Sequence, residues 1–402
     1  MDYKNLKKNH SKLYKLLVVE KKRQKNVINL IPSENYVSQA VLEALGTEFT
    51  NKYAEGYSEM RYYFGNKNVD QLEDYAKLLV YKVFKIKPVD YGVNLQAYSG
   101  STANLAVYHA LLNPGDKVLS MSLEHGGHLT HGHKVSLTGK LFNFIHYGVN
   151  RNGFLDYDQI LQIAQKEKPK MIVCGASAYS RIIDFKKFKE IADSVGAYLM
   201  ADISHIAGLI AGGAHPSPFP YADIATTTTH KTLRGPRAAL IISKKQKSKF
   251  QVSGSILHEL IDKMIFPGMQ GGPHMNTIFA IAVCLEEALK PNFKKYAKQV
   301  VKNAKALANE LQKLGFKIIS DGTDNHLMLI DVTPLGHTGK TAGEILEKNG
   351  IIVNKNMIPY DTRKPWDPLG IRIGTPTVTT QGMTEKDMEK IAKKIHSLLT
   401  ND

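Results

Sequence analysis

From about residue 90 onward, short apolar runs alternate with stretches of helical periodicity. The runs at 117–120, 171–174, 198–201 and 239–242 predict strands. Their alternation with helices predicts an α/β layer architecture. Two polar groups lie just beyond apolar segments: Asp202 follows Ala197-Tyr198-Leu199-Met200-Ala201, and Lys231 sits in a polar run between Ile224-Ala225 and 238–242. Open α/β sheets bind their ligands near such strand ends. After Gly271-Gly272-Pro273 the pattern changes to a long helical stretch, and a helix over 302–314 stops at Gly315, a residue type suited to helix ends. Strand-like 326–332, a helix over 341–348, strand-like 351–354 and a terminal helix from Thr384 predict a smaller α/β unit. The expected division is an N-terminal arm with helices over 1–48, a large unit over 49–275 and a small C-terminal unit over 276–402.

A chain of 402 residues has length for two or three domains. With 43% hydrophobic and 22% charged residues, its composition excludes a disordered or fibrous class. Cys174 and Cys284 stand far apart, and Cys174 continues the run Met171-Ile172-Val173. Buried thiols in a reducing, cytoplasmic setting are therefore expected, with neither a disulfide nor a metal site. In the lysine-rich segment 1–26 the longest apolar run is 16–19, too short for a secretory signal. No run approaches the ~18 apolar residues of a membrane span, so no membrane partner is expected. The 53 basic residues exceed the 37 acidic ones, giving a formal charge of +16 that suits anionic substrates, cofactors or nucleic acid. The lysines are scattered, with Lys21-Lys22-Arg23 and Lys244-Lys245 as short clusters, which predicts a solvated basic surface and no dedicated nucleic-acid site.

The most informative segment is Thr226-Thr227-Thr228-Thr229-His230-Lys231-Thr232-Leu233. Hydroxyls and an imidazole around a lysine suit an amine that condenses with a carbonyl while a phosphate or phenolate oxygen is satisfied nearby. The alternative is a surface turn with an exposed lysine. Asp202, followed by Ser204-His205, sets a carboxylate and an imidazole near one strand end. Such a carboxylate can keep a pyridine nitrogen protonated, or it can simply cap a helix. Ser99-Gly100-Ser101-Thr102-Ala103-Asn104 leads into helix-forming 105–112 and offers hydroxyls and amides at a helix N-terminus. Phosphate binds well there, although the same residues also suit a plain helix start.

Other segments join these in order along most of the chain: Leu30-Ile31-Pro32-Ser33-Glu34-Asn35-Tyr36, 51–56, Arg61-Tyr62-Tyr63, His125-Gly126-Gly127-His128-Leu129-Thr130-His131-Gly132, Gln270-Gly271-Gly272-Pro273, Asn354-Lys355-Asn356 and 370–376. Together they resemble serine hydroxymethyltransferase. The resemblance implies a fold type I pyridoxal-phosphate transferase related to aspartate aminotransferase. Its large domain is a doubly wound, mostly parallel sheet, followed by a smaller C-terminal α/β domain. It also implies a homodimer whose active sites combine both subunits, with pairing of dimers into tetramers left open.

By the same resemblance, Lys231 carries pyridoxal 5′-phosphate covalently, Asp202 faces the pyridine nitrogen, His205 lies near the phenolic oxygen and His128 stacks on the ring. Ser99, Gly100 and Ser101 match the phosphate loop, and Gly271 and Gly272 approach the phosphate from the neighbouring subunit. Ser177, His230, Thr228 and Tyr53 complete the surroundings, with His230 and Thr228 beside Lys231 in catalysis. Arg372 matches the residue that holds the amino-acid carboxylate, and Ser33, Tyr53 and Tyr63 match further substrate contacts. Glu55 matches the catalytic carboxyl group. Tyr62, Leu123, Gly126, Gly127, Leu129 and Asn356 match positions on the side of the pterin co-substrate.

The implied reaction interconverts serine and glycine and passes one carbon to tetrahydrofolate or a modified reduced pterin. The chain departs from the family pattern at Ser58-Glu59-Met60, Phe64, Pro32 and Ala97-Tyr98. The departures at 58–60 and 64 lie near the substrate mouth and leave pterin-independent cleavage of threonine-like substrates as the competing enzyme reading.

Overall fold

The computed structural model describes residues 3–251 and 254–400. Its larger unit is built on a seven-stranded sheet in the order Tyr91–Asn94, Ala239–Lys244, Ile224–Thr228, Tyr198–Asp202, Met171–Cys174, Lys117–Met121, Asn143–Tyr147. Only Ala239–Lys244 runs antiparallel to its neighbours; the other pairings are parallel. Alternate side chains feed two separate apolar clusters. Ile172, Cys174, Leu199 and Ala201 point to one, Met171, Val173, Tyr198 and Met200 to the other. Helices cover both faces: Lys67–Phe84 and Met275–Leu289 on the first, Gly100–Leu111 and Leu257–Lys263 on the second. Burial on both sides is why these strands read as near-continuous apolar runs.

The smaller unit holds a four-stranded antiparallel sheet in the order Lys317–Ile318, Leu327–Asp331, Gly370–Gly374, Asn354–Asn356. The helices Gly339–Lys348 and Glu385–Thr400 complete its core. The strand expected over 351–354 divides in two. Ile351–Ile352 pairs in parallel with Ile28–Asn29, while Asn354–Asn356 joins the sheet.

Packing does not change at residue 275. Met275–Leu289 buries Met275, Ile278, Ile281 and Leu285 in the larger unit's cluster. The next helix, Pro291–Lys313, belongs to both units. Phe293, Tyr296, Ala297 and Val300 pack with the larger, Ala304, Leu307 and Leu311 with the smaller. Gly271-Gly272-Pro273 breaks the chain between two helices of the larger unit, one on each face of its sheet, and the helix expected over 302–314 is the second half of a longer one. The arm expected over 1–48 is likewise shared between the units: Leu30 lies in the smaller unit's cluster, and Val41 and Ala44 lie in the larger unit's. The helices Lys4–Asn9 and Ser11–Asn26 bury no residue, and Leu13, Leu16 and Val19 are about 60% exposed. Among the described residues no helix is long and apolar enough to cross a membrane.

Candidate active site

The parallel strands Tyr198–Asp202 and Ile224–Thr228 end side by side, with Asp202 opposite Thr226. Lys231 follows three residues past Thr228, and its Nζ donates to Thr228 Oγ1 at 2.9 Å. The run is buried or half-buried, unlike an exposed turn, and the hydroxyls of its threonines are all hydrogen-bonded. Thr229 Oγ1 donates to the Pro236 carbonyl at 2.5 Å, and Thr232 Oγ1 donates to the His205 carbonyl at 2.9 Å. Asn35 Nδ2 donates to the Lys231 carbonyl and the Tyr296 hydroxyl to that of Thr232, so elements from remote parts of the chain fix the lysine's backbone. Arg234 takes a left-handed backbone (φ 64°), its guanidinium 4.3 Å from the Tyr296 ring centroid. Burial lowers the Lys231 amine to about 8; Asp202 opposes that shift, and Arg372 and Arg237 add to it.

Asp202 is held as a carboxylate. Burial alone would raise it, but hydrogen bonds from His131 Nε2 at 3.1 Å and from the Ser204 N–H at 3.1 Å hold it well below the usual range. Asn104 Nδ2 adds a bond to Oδ2 at 2.9 Å, and its own carbonyl oxygen accepts from Thr226 Oγ1. The donor state of His131 follows from geometry. Its Nδ1 accepts from the His128 N–H at 3.2 Å, so Nε2 carries the proton aimed at Asp202.

Three further imidazoles surround this carboxylate. His128 Nδ1 lies 2.7 Å from Thr130 Oγ1, His205 Nδ1 lies 3.1 Å from His326 Nε2, and His230 Nδ1 is buried with no partner among the described residues. Burial lowers all three, His128 to about 4, His230 to about 3 and His205 well below its ordinary value, so they are neutral at pH 7. Ser99 caps the helix Gly100–Leu111, its Oγ accepting from the Thr102 N–H at 3.4 Å. A Cβ on Gly100 would stand 2.7 Å from Thr228 Cγ2, so only glycine lets that N-terminus start against the strand end that leads to Lys231. Ser99, Gly100, Ser101, Asp202, Thr228 and Lys231 line one cavity of about 150 Å³.

A second cavity, of about 530 Å³, continues from the first past His128, Ser177, His205, His230 and Lys231 to Ser33, Leu123, Gly127, Leu129, Asn356 and Arg372. Arg372, in the strand Gly370–Gly374, is 9% exposed. Its Nη1 donates to the Ser177 carbonyl at 2.5 Å and its Nε to Asn354 Oδ1 at 3.1 Å. No carboxylate pairs with it among the described residues. Burial lowers this guanidinium to about 10. A buried cation whose only protein partners are neutral oxygens is costly unless a ligand brings an anion.

The other expected residues stand apart. Tyr53, Glu55, Tyr62, Tyr63, Gly271 and Gly272 line neither cavity. They gather in their own cluster: the rings of Tyr53 and Tyr63 are 5.0 Å apart, and a Cβ on Gly271 would stand 3.1 Å from Glu55 Oε1, one on Gly272 3.4 Å from the Tyr53 ring. Tyr62 is 72% exposed, and Phe64 beside it is fully exposed. Gly126 lines neither cavity and instead serves the turn before His128, with φ 112° and its carbonyl accepting from the Ser177 and Ala178 N–H groups. Sequence reasoning missed Arg237, which lines both cavities, and His326 behind His205. Arg237 carried one signal, its position in Gly235-Pro236-Arg237 directly after the lysine turn. His326 carried none beyond its place before an apolar strand.

The residues present fit pyridoxal 5′-phosphate: an enclosed amine, a pinned carboxylate, and a helix N-terminus brought close by a glycine. A family model of serine hydroxymethyltransferase matches residues 6–395.

Proposed function

The chain belongs to the serine hydroxymethyltransferase family, and from that premise we propose that the two joined cavities are the site where it interconverts serine and glycine. Members of the family are fold type I pyridoxal-phosphate enzymes that use a folate co-substrate. The observation that carries the assignment of residues is Arg372, a buried guanidinium with no acid partner among the described residues, in a cavity shared with Lys231. Its planar fork matches the carboxylate of an amino acid.

The cofactor, when bound, supplies an aldehyde for the lysine and substrate amines and a protonated ring that takes up electrons released at the α-carbon. Lys231 holds it covalently, and the Ser99-Gly100-Ser101 helix start holds its phosphate. Asp202, fixed as an anion, accepts the ring N–H. Neutral His128 and His230 close the cavity without adding charge that would oppose it. Arg372 holds the substrate carboxylate. Leu123, Gly127, Leu129 and Asn356 form the co-substrate side, where tetrahydrofolate or a modified reduced pterin takes the one-carbon unit. The free, buried thiols Cys174 and Cys284 support a reducing, cytoplasmic setting. Serine turnover with and without tetrahydrofolate tests the reading: rapid serine cleavage that ignores the folate would replace it with an aldolase.

Glu55, Tyr53, Tyr63, Gly271 and Gly272 serve the Lys231 site of a second copy of the chain. Their own cluster, clear of the cavities, and the exposed aromatics of 62–64 support this reading, as do the uncovered apolar residues of the N-terminal helices. Mixing Lys231→Ala chains with Glu55→Gln chains is the decisive measurement. In a mixed dimer one site then keeps both groups, so co-refolding the two inactive proteins should restore serine turnover. Self-contained sites would stay dead in every combination.

The enclosed amine gives a pH prediction. With Lys231 lowered from 10.5 to about 8, covalent loading of the cofactor-free protein should speed up as pH rises and level off above about 8. A rate still climbing toward 10.5 would mean an amine open to water. The unfolded chain binds the extra proton between these two values, so this group adds to folding stability as pH rises through that window.

A further inference from the structure

The ring-to-ring bond between His205 and His326 joins the larger unit to the smaller behind Lys231. His205 Nδ1 and His326 Nε2 are 3.1 Å apart, and His326 is 0% exposed. A tight turn fixes His326. Asn325 Oδ1 accepts from the Leu327 N–H, Thr323 Oγ1 donates to the Leu327 carbonyl at 2.6 Å, and Asn325 Nδ2 donates to the Tyr179 carbonyl at 2.9 Å. The His326 carbonyl accepts from the Thr375 N–H at 3.0 Å.

Burial lowers both imidazoles far enough that each is neutral at pH 7, so each ring carries one N–H and the bond between them holds one proton. Two arrangements are open. If His205 Nδ1–H donates, His326 must carry its proton on Nδ1, which no group among the described residues reaches, and a buried N–H is left unpaired. If His326 Nε2–H donates, the unpaired atom is only a lone pair. Orphaned buried donors are the rarer and costlier defect. The second arrangement wins, and it puts the His205 proton on Nε2, the ring nitrogen left for the cavities that His205 lines.

We propose that His326 is a positioning residue that fixes His205 in the Nε2–H tautomer, so that His205 gives an N–H to an anionic oxygen of the bound cofactor. This rests on the reading of the site given above.

The test uses the full chain loaded with pyridoxal phosphate and labelled with ring-¹⁵N histidine. Long-range nitrogen–proton NMR reads which His205 nitrogen is protonated, with signals assigned by their loss in His205→Gln. The expected result is a bare Nδ1 and a protonated Nε2, kept in His326→Gln, whose amide retains the donor. His326→Leu should lose the single tautomer and retain the cofactor about tenfold less well, with the glutamine variant within about twofold of the parent. Protonation at Nδ1 in the parent protein overturns the proposal, as does a leucine variant that matches the parent in both readings. If the leucine variant does not fold, the parent and glutamine spectra decide alone. A parent protein that takes up no pyridoxal phosphate would instead sink the functional reading beneath the proposal.

Discussion

Replacing Lys231 by alanine should leave a folded protein that holds pyridoxal 5′-phosphate only reversibly and turns serine over at least about a thousandfold more slowly. The expectation rests on position. Among the described residues Lys231 Nζ has one protein bond, to Thr228 Oγ1, and its chain enters the space bounded by Asp202 and the Ser99-Gly100-Ser101 helix start. Alanine removes that bond and the amine, while the backbone clamps from Asn35 and Tyr296 remain. Alanine also removes a buried amine whose desolvation outweighs its attraction to Asp202, so the thermal midpoint should hold or rise slightly. Borohydride reduction followed by peptide mass mapping checks the assignment. The parent protein should carry the cofactor mass on the peptide containing Lys231, and the variant should lose all cofactor on dialysis. A reduced adduct on another lysine, or full turnover by the variant, would remove Lys231 from the chemistry.

The larger sheet was legible because burial on both faces leaves a mark in single residues: 171–174 and 198–201 are apolar at every position and become neighbouring strands. The site was legible where local sequence decides chemistry, as in the threonine run before Lys231 and the glycine after Ser99. What stayed hidden depends on meetings between remote segments. Nothing in the periodicity says that Asn104 and His131 converge on Asp202, or that His326 reaches His205. The helix Pro291–Lys313 misled for a related reason, since one amphipathic stretch serves two cores and no composition change marks the handover. Motif order placed Tyr53 and Glu55 in the site, yet neither lines the cavities within one chain.

Arg372→Met should abolish amino-acid binding while making the protein no less stable. Two charge-assisted bonds to a carboxylate in an enclosed cavity are worth roughly 3 kcal/mol or more, so serine and glycine should bind at least about a hundredfold more weakly. Stability should move the other way. In the free protein the guanidinium is buried, lowered to about 10 by that burial and, among the described residues, partnered only by the Ser177 carbonyl and Asn354 Oδ1. Methionine of similar length removes an uncompensated charge and keeps most of the packing, a change that is often neutral or stabilising by about 1–4 kcal/mol. The cost is two acceptors left without their donor, which narrows the gain and sets its size. Thermal denaturation with and without glycine reads both effects in one titration: a ligand bound only by the folded state raises the midpoint as its concentration passes Kd. The parent should shift with glycine, and the variant should start at or above the parent's midpoint and not shift. A variant that still responds to glycine like the parent would show that the carboxylate is held elsewhere. A large fall in its ligand-free midpoint would show that Arg372 is retained for the fold.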